Sequence, residues 1–128
     1  MVRAMLIAVL ITIGLQGNAQ TESRITRYNY FFLEAIRQQE MGNLAAAFDL
    51  LNHARDINPK APEVYYEIAG YYVAMQNSKA ARYNFEQAAK LAPDNSTYLE
   101  KLGQFYISQN NYEDALTTYE QLYTSNKT

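Results

Sequence analysis

One spacing constrains this chain more than any other feature: residues of like character return every 34 positions. Ala47, Ala81 and Ala115 form one such series, and Asn43, Asn77 and Asn111 form another. Phe31, Tyr65 and Leu99 keep the step, as do Ala35, Ala69 and Gly103, then Leu51, Phe85 and Tyr119. Ala54 matches Ala88, and Pro59 matches Pro93. A fixed period of this length belongs to stacked supersecondary units, none of which can bury its apolar face alone. Contacts between neighbouring units must therefore replace a single globular core.

Inside each period the apolar residues follow helical spacing. Tyr65, Ile68, Ala69, Tyr72 and Val73 form one stripe, and Ala81, Phe85, Ala88 and Ala89 form another. Such stripes specify amphipathic helices rather than strands. The spacing predicts helices over 28–41, 44–57, 62–75, 78–91, 96–109 and 112–125, an all-α chain. Gly42-Asn43, Gln76-Asn77 and Asn110-Asn111 fall at the intervening turns, where asparagine tolerates the left-handed backbone that a tight turn needs. Pro59 and Pro93 lie where proline ends a helix, and Pro62 lies in a first turn that accepts it. Thr97-x-x-Glu100 reads as a capping box. Ala35, Ala47, Ala69, Ala81, Gly103 and Ala115 let paired helices approach, with Phe31, Tyr65, Leu51, Phe85 and Tyr119 filling the space between them.

The residues within the period resemble the tetratricopeptide repeat. Residues 62–95 carry Tyr65, Ile68, Ala69, Tyr72, Ala81, Phe85, Ala88 and Pro93 in the family's signature slots. Residues 96–128 carry Leu99, Leu102, Gly103, Tyr106, Ala115 and Tyr119, and depart at Leu122 and Lys127. Residues 28–61 keep Phe31, Ala35, Ala47, Leu51, Ala54 and Pro59, but place Glu34 and Gln38 where an apolar residue and tyrosine are usual. The resemblance implies a right-handed superhelical stack of about three helix-turn-helix repeats that binds another protein or peptide in its concave groove. It assigns Phe32, Ile36, Gln39 and Glu40 of the first repeat to that groove. Glu63, Tyr66, Gly70, Val73 and Ala74 follow in the second, with Glu100, Gln104, Ile107 and Ser108 in the third.

Twelve tyrosines and no tryptophan make an unusual aromatic set. Tyr65, Tyr72, Tyr106 and Tyr119 occupy packing slots. Tyr66 is open to two readings, a peptide contact or a residue that shapes the superhelix, and Phe32 reads as packing. Some family members grip a terminal carboxylate with cationic and amide side chains. Here Phe32, Ile36, Glu67 and Thr97 hold those slots and only Lys101 is cationic, which argues against that clamp. A groove of this character suits an apolar or extended segment.

Enzyme chemistry finds little to use. His53 is the sole histidine and Cys is absent, so neither a multi-histidine metal site nor thiol chemistry is available. Asp56 follows His53 at helical spacing without a nucleophile to complete a triad, and His53 reads as a surface residue. Glu63 and Glu67 share a face that reads as solvated. No glycine-rich phosphate loop occurs, and we infer neither cofactor nor small-molecule substrate. The net charge of −2 comes with scattered cations, against a nucleic-acid footprint.

The amino terminus differs from the repeats. Arg3, an apolar run from Ala4 to Leu15 and the close at Gly17-Asn18-Ala19 have the pattern of a secretory signal peptide cleaved after Ala19. Thr12, Gly14, Gln16 and Asn18 interrupt the run, so a retained membrane anchor is the weaker reading. Residues 20–27 then form a short linker. These features point to an exported protein of the bacterial periplasm, acting as a scaffold that helps assemble an envelope complex. At the other end Tyr112, Leu116, Tyr119 and Tyr123 leave an apolar flank without a covering helix, suited to self-association or to a longer chain. In that longer chain the repeats would serve as the extracytoplasmic sensing module of a signalling protein.

Overall fold

The computed structural model describes the backbone of residues 2–126 and the side chains of residues 18–125. Six helices follow one another: α1 (Val2–Glu40), α2 (Leu44–Ile57), α3 (Pro62–Ala74), α4 (Ser78–Leu91), α5 (Ser96–Ser108) and α6 (Tyr112–Asn126). No strand occurs among the described residues. Helices α1 and α2, α3 and α4, and α5 and α6 pair into three hairpins, and the second helix of each rests more lightly on the first helix of the next. The all-α stack of three repeats expected from the period is the observed architecture.

Three turns of one design connect the paired helices. Gly42, Gln76 and Asn110 adopt φ of 82°, 58° and 58°. The amide N–H of Asn43, Asn77 and Asn111 donates to the carbonyl of Gln38, Tyr72 and Tyr106, each at 2.9 Å. That closes a Schellman motif at every turn. The asparagine series thus has a different task from the one expected of it. The preceding residue takes the left-handed backbone, while Asn77 and Asn111 cap the next helix by accepting from the N–H of Ala80 (3.1 Å) and Asp114 (3.3 Å).

Two further expectations require correction. The capping box at Thr97 is absent, because Asn95 lies earlier in extended backbone and its side chain accepts from Tyr98 N–H at 3.1 Å. Residues 20–27 are helical within α1 rather than a linker. Between Asn18 and Arg27 neither glycine nor proline interrupts the helix. The side chains of residues 1–17, where most of the expected export segment falls, lie outside the described residues.

The interior runs along the stack. Around the first seam, where α2 meets α3, Ala35, Leu51, Ala54, Val64 and Ile68 are buried with Tyr28, Tyr65 and Ala88. At the second, Ala69, Ala81, Phe85, Leu99, Leu102 and Phe105 are buried together. Phe48 reaches across the first seam to Tyr71 and Tyr72, both ring centroids at 5.5 Å, and Phe85 reaches across the second to Phe105 at 5.4 Å. At the places of Ile68 and Tyr71, α1 instead carries Glu34 and Arg37, which form an ion pair beside exposed Tyr30 and Leu33. Hydrogen bonds from Arg37 and Gln38 hold the Glu34 carboxyl down at about 2. At the other end Tyr112, Leu116 and Tyr123 are exposed, while Tyr119 folds inward over Gly103.

Candidate interaction groove

The first helices of the hairpins, α1, α3 and α5, present the residues assigned to the groove. Their places differ more than their shared register implies. Phe32 is half-buried and stacks on Tyr28 with centroids 5.8 Å apart, so it is largely a packing residue. Tyr66 is half-buried between Tyr98 (5.0 Å) and Phe85 (6.4 Å), which binds its ring into the seam. Ile36 is also half-buried. Val73 and Ile107 stand about half exposed, at 49% and 46%. Glu100 and Gln104 are exposed and hydrogen-bond to each other at 3.3 Å.

Gln39 and Gly70 are brought together. With Leu44, Glu67, Tyr71 and Ala74 they line an open cavity of about 280 Å³ where α1, α2 and α3 meet. The Tyr71 hydroxyl donates to Gln39 Oε1 at 2.9 Å. This turns the Gln39 amide nitrogen toward Glu67. Burial raises the Glu67 carboxyl above the ordinary glutamate range, and the neighbouring Gln39 offsets that only in part. Glu63, one turn earlier, is partly buried and accepts from the Tyr28 hydroxyl at 2.6 Å. Burial, and next the bond to Glu63, push the Tyr28 phenol well above its ordinary value. The Glu63–Glu67 face is therefore partly buried, not the solvated face expected. Helix α1 covers it, which sequence spacing within α3 alone could not reveal.

Gly70 is the open side of this cavity. A Cβ built there meets nothing within 4 Å, whereas one built at Gly103 falls 2.8 Å from the Tyr119 ring. Leu44 and Tyr71 were outside the assigned groove residues, and Glu67 belonged to the groove only as a slot of the carboxylate clamp. The signal for Tyr71 was the aromatic pairing of Tyr71 and Phe105 one period apart, which marks the seam residue. His53 is exposed and stands edge-on to Phe31 at 4.2 Å, and Asp56 pairs with Arg55 at 3.7 Å. No cluster of His, Asp and Glu suited to a metal occurs among the described residues.

Comparison with known proteins agrees with this geometry. The tetratricopeptide repeat model matches residues 72–123. A crystal structure of MamA superposes with a TM-score of 0.70 at 16% identity, covering 78% of this chain and 58% of that one. The Sgt2 tetratricopeptide domain from Aspergillus fumigatus superposes with a TM-score of 0.66 at 22% identity, covering 78% of this chain and 66% of that one. This chain thus spans less than two thirds of either solved structure. No curated protein matches the sequence at a significant level. Residues 72–123 are thus similar in sequence to the tetratricopeptide repeat, and the three hairpins share the helical-stack fold of these solved structures.

Proposed function

We propose that this scaffold binds a peptide segment of another protein along the concave face of α1, α3 and α5, and that it does so after export, helping to assemble an envelope complex. The observation that carries the groove assignment is the cavity between α1 and α3, walled by Leu44, Tyr71 and Ala74 and left open by Gly70. Apolar walls with a few placed polar groups are what a peptide side chain needs for burial and orientation. Exposed Val73 extends the same face by one turn. Support for export comes from the sequence of residues 1–19, with its basic start, apolar run and small residues at Gly17 and Ala19. Among the described residues no helix is long and apolar enough to cross a membrane.

Site-specific photo-crosslinking in the native host tests both halves. A photoreactive amino acid at Val73 is expected to trap one discrete partner, and the same group at exposed Tyr83, beside Arg55 and Pro59 on the opposite surface, is not. Equal trapping at both positions, or none at Val73, would remove the groove from the account. Recovery of the adduct in the extracytoplasmic fraction supports export, and recovery in the cytoplasm rejects it.

A further inference from the structure

Glu67 is partly buried on α3 with no cation, as is Glu63, whose carboxylate instead accepts from the Tyr28 hydroxyl. Glu34 is bonded to Arg37, Glu86 to Arg82 at 2.7 Å, Asp114 to Arg82 at 3.3 Å and Asp56 to Arg55 at 3.7 Å. Among the described residues no Lys, Arg or His lies in ion-pair contact with Glu67. Its neighbours are a neutral amide, a phenol and the apolar walls of the cavity. A partly buried carboxylate that has lost water without gaining a counter-ion is costly unless something completes it.

We propose that the cavity between α1 and α3 receives a lysine or arginine side chain of the bound peptide, with its charged head on Glu67. This rests on the groove reading above and specifies the partner's chemistry. The shape fits such a side chain in two parts. Leu44, Ala74 and the Tyr71 ring offer apolar surface to the methylene stem, and Glu67 and the Gln39 amide group stand at the polar end. Open space above Gly70 lets the peptide backbone approach α3 closely, so that a side chain of ordinary length reaches the carboxylate. Glu40 and Glu100 are the exposed acidic residues at the groove positions, while Glu63 is taken up by the Tyr28 hydroxyl. Lys101, one period after Glu67, stands at the equivalent place in α5. The preference for a cation is therefore local to the first seam and sets the register of the peptide.

Selection of a random peptide library against the full chain tests this, with Glu67→Gln and Gly70→Trp variants checked for helicity and melting. We expect the wild type to enrich one fixed basic residue. In a synthetic peptide of the enriched sequence, replacing that residue by norleucine should weaken binding by about tenfold, as should Glu67→Gln, and the two changes together should cost little more than either. Peptides displaced by Gly70→Trp that show no basic preference, or a preference that Glu67→Gln leaves intact, would overturn the proposal while sparing the groove. Peptides indifferent to Gly70→Trp, or no enrichment at all, would overturn both.

Discussion

Two glycines on neighbouring helices show how differently the hairpin interior and the groove are built. Gly103 lies under Tyr119, with no room for a methyl group; Gly70 faces open space. Within the interior, size is matched across the helix pair: Ala35 accompanies Leu51, Ala69 accompanies Phe85, and Gly103 accompanies the larger Tyr119. Nothing in the groove explains Gly70 as packing, and its backbone is ordinary helix. A mid-helix glycine costs about 0.5–1 kcal/mol relative to alanine, so its presence at an empty position favours a role outside the fold. The interior is optimised for its own contacts, and the groove keeps a vacancy at a cost in stability.

Mutations should separate the two regions in order of size. Leu51→Ala, in a fully buried position between α1 and α2, is expected to destabilise by about 2–5 kcal/mol in urea denaturation. A loss under 1 kcal/mol would mean that the first hairpin is not packed as described. Gly103→Ala should cost roughly 1 kcal/mol, because overpacking against Tyr119 exceeds the gain in helix propensity. Adding Tyr119→Leu should return most of that loss, and failure of the double variant to recover would break the size-matching argument. Gly70→Ala should instead stabilise by about 0.5–1 kcal/mol, and destabilisation there would place Gly70 in the interior class.

Smallest is the effect of Glu67→Gln, whose sign follows from proton linkage. The folded chain holds the Glu67 proton more tightly than the unfolded chain does, so the stability it contributes is present at acid pH and lost as pH rises through the folded value. The variant should therefore match the wild type at acid pH and melt slightly higher at neutral pH. Thermal melts across that range measure it directly, and a lower neutral melting temperature would show that the carboxylate has a stabilising partner.

The interior was readable from the sequence because each of its requirements recurs. Alanine at residues 47, 81 and 115 is buried in all three hairpins, and helices α2 to α6 begin where the period put them. Local choices between near-equal chemistries were harder to read. Asn95 competed with Thr97 for one cap, and the left-handed turn residue proved to be the one before each asparagine. Groove geometry was the least legible. The Gln39–Tyr71 bond joins residues almost one period apart, and which of several polar groups meet there depends on the angle between hairpins.

That angle has a consequence of its own. Helices pair closely within a hairpin and touch lightly between hairpins, so elastic compliance is concentrated at two joints between three stiff leaves. Tyr71 bridges the first joint twice, with its ring on Phe48 and its hydroxyl on Gln39. Its counterpart one period later at the second joint, Phe105, has no hydroxyl, so the two joints are latched by different chemistry.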